Sequence, residues 1–235
     1  MTGRLALVGS GEYLEVMAGV EAGLLAGRPA RFVQVPTAAA PEGDASLQRW
    51  VELGRRQADR LGVEAVPLVV RNRSDADSAE LAAQVAGAGL VYLSGGSPAY
   101  LAATLRGTAV WAAIDAAWRD GASLAGCSAG AMALTSWVPH LRAPQRQAVE
   151  GLGAVPALRV IPHFDRFVGW LPGIVGRYLA RAPAGTTVLG IDEDTAVVWD
   201  GATWTVAGRQ SVWVLAPDGR TGHPAGETLP LPPPG

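Results

Sequence analysis

Three residue types that can cooperate in acyl transfer each sit at a glycine turn or a strand end. Ser128 is the centre of Gly126-Cys127-Ser128-Ala129-Gly130, a G-x-S-x-G run. Small residues on both sides let a strand turn abruptly into a helix and leave the hydroxyl exposed. The amides that open the following helix face the same point, where negative charge would develop on a reacting carbonyl. The pattern predicts Ser128 as a nucleophile. Cys127 stands one position too early for that role and is expected to be a small buried residue under the turn.

A serine hydroxyl needs a base to activate it. The chain has three histidines. His163 ends the strand-like run Val160-Ile161-Pro162-His163-Phe164 and is the predicted base. His140 lies in a proline-broken stretch without a supporting pattern. His223 lies in residues 219–226, read as a solvent-exposed polar loop. The base needs an orienting acid. Glu193, in Gly190-Ile191-Asp192-Glu193-Asp194-Thr195, is the first choice, with Asp192, Asp194 and Asp165 left open.

These residues need a scaffold, and the apolar runs supply one. Strands are predicted at 5–8, 31–35, 63–70, 90–93 and 123–125. Helices are predicted at 13–25, 45–61, 78–86 and 110–119. Near-continuous apolar strands alternating with helices predict an α/β fold, a doubly wound, mostly parallel sheet flanked by helices. Ligands bind such sheets beyond the carboxyl ends of the strands. The glycine turns Gly9-Ser10-Gly11, Gly95-Gly96-Ser97 and Gly126 all fall at that end. Further on, a helix is predicted over 167–181, interrupted near Pro172. Strands at 188–191, 195–199, 203–206 and 212–215, turned at Asp200-Gly201 and Ala207-Gly208, predict a small antiparallel C-terminal region. The reading is one domain over 1–216 and a proline-rich tail over 217–235, extended or disordered.

Composition narrows the chemistry. The 235 residues are 49% hydrophobic and carry a formal charge of −2. No basic face is visible, so no nucleic-acid partner is expected. Every basic residue is arginine, which removes lysine Schiff-base chemistry and the Walker lysine. One cysteine and scattered histidines predict no disulfide and no metal site. No apolar run approaches a membrane span or a signal-peptide core. A cytoplasmic protein without a membrane partner is expected. Most of the eight tryptophans are expected in the core. Some are available to line a partner surface, which leaves a homodimer open.

With these motifs the chain resembles peptidase family S51, which includes peptidase E (an aspartyl dipeptidase) and the cyanophycinases. The resemblance runs from Leu5 to Leu215. It is carried by Leu7-Val8-Gly9-Ser10-Gly11-Glu12, Val35-Pro36-Thr37-Ala38, Leu93-Ser94-Gly95-Gly96, the serine elbow, Gly151-Leu152-Gly153, Pro162-His163-Phe164 and Gly190 to Ala196. It implies a class I glutamine amidotransferase-like fold with serine in place of the cysteine. It also implies Ser128 as nucleophile, His163 as base, Glu193 as acid and an oxyanion hole from the Gly96 and Ala129 amides. The substrate would be a short peptide or isopeptide, and no cofactor is implied.

The chain departs from the family pattern in places. Pro162 stands where cyanophycinases carry glutamine, and Arg166 alone stands for their spaced arginines. Ser97 stands where peptidase E carries asparagine. Arg166 and Ser97 are the candidate substrate contacts. Two other readings remain. An α/β-hydrolase-type esterase would use Ser128, Asp192 or Asp194, and His223 in that order. A non-catalytic small-ligand-binding domain of the same fold would use none of them.

Overall fold

The apolar runs that head the chain become the centre of a sheet. A computed structural model describes residues 2–140, 147–166 and 173–235. Strands β1 (Leu5–Val8), β2 (Arg31–Val35), β3 (Glu64–Pro67), β4 (Leu90–Leu93) and β5 (Ser123–Cys127) lie parallel in the order β3-β2-β4-β5-β1. Helices α1 (Ala18–Leu25), α2 (Asp44–Leu61), α3 (Arg73–Ala76), α4 (Ala79–Ala83), α5 (Pro98–Leu105), α6 (Ala109–Arg119) and α7 (Ala129–Ala133) connect and cover them. Side chains alternate across a strand. In β1, Leu5 and Leu7 enter a core with Leu105, Ile114 and Trp118, while Ala6 and Val8 face Leu24 and Ala58 on the other side. Helices on both faces therefore explain why the strand is apolar throughout.

The remaining elements divide between this sheet and others. After α7 come β6 (Trp137–Val138), β7 (Val149–Glu150), β8 (Leu158–Ile161), helix α8 (Ile174–Arg181), β9 (Thr187–Ile191), β10 (Thr195–Trp199), β11 (Trp204–Gly208), β12 (Ser211–Ala216), β13 (Gly219–Pro224) and β14 (Thr228–Leu229). Strands β10, β11 and β14 extend the main sheet antiparallel beyond β1. A second sheet runs β13-β12-β9-β8, with β8 and β9 parallel. The chain crosses between the sheets at 192–194 and returns at Arg209-Gln210. The fold is mixed α/β with a large, mostly parallel central sheet, as expected.

Several expectations are corrected. The strand at 63–70 is shorter, Glu64–Pro67, and its proline is tolerated because β3 is an edge strand. The helix at 13–25 begins later, because Tyr13 has φ 65° and a 3-10 turn at Glu15–Met17 intervenes. The helix at 78–86 is shorter, and α5 is an addition. Asp200-Gly201 does close a hairpin, but Gly208 does not. There the chain leaves one sheet for the other. Residues 217–235 are not a loose tail. β13 pairs with β12 and β14 with β11, Trp204 Nε1 donates to Pro232 O at 2.9 Å, and Gly235 N–H donates to Ala154 O at 3.0 Å. Of the helix read over 167–181, residues 167–172 lie outside the described residues. Among the described residues, no helix is long and apolar enough to cross a membrane.

Candidate active site

Strand register gathers the site. Val8 pairs with Cys127 and Leu93 with Gly126, so β1, β4 and β5 end side by side. Ile161 pairs with Gly190, so β8 and β9 end together as well. His163 follows β8 by two residues, and Glu193 follows β9 by two. Glu193 lies in the link that carries the chain back to the main sheet beside β1. Two residues 30 apart in sequence are thus delivered to one edge.

Ser128 sits at the turn from β5 into α7 with φ 50° and ψ −106°, a conformation non-glycine residues rarely adopt. Such strain costs on the order of 1 to 3 kcal/mol and persists only where neighbours enforce it. Here Ser128 N–H donates to Val8 O at 2.9 Å. The flanking glycines are sterically required. A Cβ on Gly126 would lie 2.5 Å from the Gly130 carbonyl carbon, and one on Gly130 would lie 2.2 Å from Leu93 O. The spacing of the motif is therefore a packing demand of strand against helix.

Ser128 Oγ lies 3.0 Å from His163 Nε2, and His163 Nδ1 lies 3.0 Å from Glu193 Oε1. His163 also has a positive φ, 50°. The side chains of His163 and Glu193 are 33% and 30% exposed, so the chain of contacts opens to solvent at the sheet edge. The Glu193 backbone is held at both its N–H and its carbonyl. Its N–H donates to Asp165 Oδ1 at 2.9 Å, and its carbonyl accepts from Gln210 Nε2 and Thr195 Oγ1, each at 3.0 Å.

The alternative acids are committed elsewhere. Asp192 accepts from Trp213 Nε1 at 3.0 and 3.1 Å and from Ser211 N–H at 3.3 Å, and burial pushes its carboxyl up. Asp194 pairs with Arg209 at 3.9 Å. Asp165 holds the Glu193 backbone. His223, expected in an exposed loop, is half-buried on β13 and faces Glu227 at 3.1 Å. β13 and β8 are the two opposite edge strands of the second sheet, so His223 and His163 are carried by different edges of it.

The amides near Ser128 follow a pattern. Ser94 N–H donates to Val35 O at 3.2 Å, Gly95 N–H to Glu12 Oε1 at 2.9 Å and Ser97 N–H to Ala38 O at 2.8 Å. Gly96 N–H has no acceptor among the described residues, and neither has Ala129 N–H at the start of α7. A Cβ on Gly95 would lie 3.7 Å from the Ser128 Cβ, so the glycine loop and the elbow are in contact. Ser97 is half-buried, and its hydroxyl makes no hydrogen bond among the described residues. Arg166, read from sequence as a substrate contact, is exposed and faces Glu193. Its Nε donates to Glu193 Oε2 at 3.3 Å. Cys127 is fully buried beneath the elbow, and burial followed by nearby Glu12 pushes its thiol up. A protonated buried thiol is a poor nucleophile. Sequence reasoning missed Glu12, Asp165 as a brace, and Gln210. The one available signal was an acid closing Gly9-Ser10-Gly11.

The Peptidase family S51 model matches residues 5–207. The chain belongs to peptidase family S51. It is 31% identical over 174 residues to the cyanophycinase of Trichormus variabilis, covering 68% of this chain and 56% of that relative. It is 31% identical over 169 residues to the cyanophycinase of Synechococcus elongatus, covering 67% and 51%. The chain therefore matches about half the length of these curated relatives. The crystal structure of a peptidase from an acI-B1 Actinobacterium is 44% identical, covers 97% of both chains and superposes with a TM-score of 0.90. A solved protein from Listeria monocytogenes EGD-e, 17% identical with a TM-score of 0.65, shares the fold. Family membership and the placement of His223 set aside the α/β-hydrolase esterase reading.

Proposed function

We propose that the protein is a serine peptidase that hydrolyses short peptides or isopeptides, as an aspartyl dipeptidase does. One observation carries the reading: the His163 ring lies 3.0 Å from Ser128 Oγ through Nε2 and 3.0 Å from Glu193 Oε1 through Nδ1, with Ser128 on a strained elbow. Membership of a peptidase family and the likeness to a solved peptidase support it.

In this mechanism Ser128 Oγ attacks the carbonyl carbon while His163 Nε2 takes its proton. Glu193 orients the ring and stabilises the imidazolium. The Gly96 and Ala129 amides receive the oxyanion, each donor contributing on the order of a hundredfold in rate or more. His163 then protonates the leaving amine, and water, deprotonated by His163, releases the acyl group. Ser97 is the remaining candidate for substrate contact. Arg166 also faces Glu193 Oε2, at 3.3 Å.

A panel of dipeptides and isopeptides, with Ser128→Ala as control, tests the proposal. Hydrolysis by the wild type that vanishes in the variant is expected. Equal turnover by both proteins would overturn it. A folded wild type that cleaves no member and binds one would favour a ligand-binding domain.

A further inference from the structure

The motif Gly9-Ser10-Gly11-Glu12 follows β1 and takes no part in the chemistry above. Glu12 is nonetheless only 8% exposed. Burying a carboxyl group is unfavourable unless donors meet its oxygens. Both oxygens are met, each by a different part of the site. Oε1 accepts the Gly95 N–H at 2.9 Å, and Oε2 accepts the Cys127 Sγ–H at 2.7 Å. Gly95 precedes the oxyanion donor Gly96, and Cys127 precedes Ser128. One side chain from the loop after β1 thus ties together the loops after β4 and β5.

The bond to Gly95 matters because of what surrounds it. Two adjacent glycines are the most freely rotating pair a chain can hold. Gly96 has φ 135°, and a Cβ there would lie 2.4 Å from Ala38 O, so neither a side chain nor a stiffer residue can steady the loop. The neighbouring amides of Ser94 and Ser97 are held by backbone carbonyls. The Gly95 amide is held by a side chain alone. Without it, Gly95 N–H becomes a second unpaired donor beside Gly96 N–H, and the peptide planes between them are free to turn.

We propose that Glu12 is a positioning residue that presets the Gly96 amide for the oxyanion, by gripping Gly95 N–H and bracing it against the strand that carries Ser128. The proposal rests on the serine-peptidase reading. Cys127 serves as the far anchor of the same carboxyl group and supplies no nucleophile.

The test is the rate of Ser128 modification by a fluorophosphonate in the full chain, separated into the affinity constant KI and the inactivation step kinact. Phosphonylation places a developing P–O charge where the oxyanion would sit. Glu12→Gln retains an oxygen for Gly95 N–H and is expected within about threefold of the wild-type kinact. Glu12→Ala is expected to lower kinact by at least about tenfold with KI unchanged, consistent with a misaimed oxyanion donor. Both variants should keep the wild-type pH midpoint, because His163 and Glu193 are untouched. If Glu12→Ala is not recovered folded, Glu12→Met fills the space without an acceptor and carries the same expectation. Equal kinact in wild type and Glu12→Ala, or a Glu12→Gln as slow as Glu12→Ala, would overturn the proposal alone. A folded wild type that is never labelled would overturn the peptidase reading, and this proposal with it.

Discussion

Arg166 Nε donates to Glu193 Oε2 at 3.3 Å, on the carboxylate oxygen that does not face His163. The guanidinium is exposed, and exposed ion pairs are worth at most about 1 kcal/mol. Arg166→Ala is therefore expected to lower kcat by no more than about fivefold and to leave KM unchanged. Steady-state kinetics on any cleaved peptide measures both constants. A large rise in KM would instead make Arg166 a substrate contact.

The acid behind the histidine is open to a direct comparison. Glu193→Gln removes the charge facing His163 Nδ1 and is expected to reduce kcat on the order of a hundredfold or more. Asp192→Asn leaves an oxygen for Trp213 Nε1 and is expected to keep activity within several-fold. If the two effects are reversed, Asp192 is the acid.

The glycines of the elbow are packing residues before they are anything else. Gly130→Ala would drive a Cβ to 2.2 Å from Leu93 O, a backbone atom that cannot step aside. Overpacking of this kind costs about 1 to 3 kcal/mol. Thermal unfolding should show a lowered Tm for Gly130→Ala, while Gly176→Ala, which meets nothing within 4 Å among the described residues, should not.

A second buried acid makes stability depend on pH. Burial pushes Glu21 from 4.5 up to about 7, against the lowering effect of its hydrogen bond from Gln57. Between those values the folded chain holds a proton that the unfolded chain has released. Stability from this group is therefore present below about pH 4.5, declines as pH rises to about 7, and stays lost above it. The full change is about 3 kcal/mol. Urea unfolding of wild type and Glu21→Gln at pH 5 and pH 8 isolates it. The variant should gain on the wild type at pH 8. An equal difference at both values would contradict the account.

The parallel half of the fold was legible because its strands are apolar on both faces and end in glycine turns. Leu5–Val8 and Leu90–Leu93 announce themselves in this way. β13 does not. Its residues Gly219–Pro224 are mostly exposed and it pairs along one edge through its backbone. No hydrophobic alternation marks such a strand, so residues 217–235 read as a tail. The second sheet was hidden for a related reason. Gly208 looks like a hairpin turn, and only long-range pairing decides that β12 joins β9 and not β11. At the site, Ser128 and His163 could be chosen by type and by position at strand ends, whereas Glu193 shared both with Asp192 and Asp194. Their braces could not. Glu12 and Asp165 act on backbone amides, Gly95 N–H and Glu193 N–H, and an acid that binds an amide has no sequence pattern of its own.

The most direct measurement is mass mapping of the folded protein after fluorophosphonate treatment. Ser128 as an activated nucleophile requires a single adduct on the peptide containing Ser128, absent from Ser128→Ala and strongly slowed in His163→Ala. An adduct that survives Ser128→Ala, or a rate indifferent to His163, would contradict it.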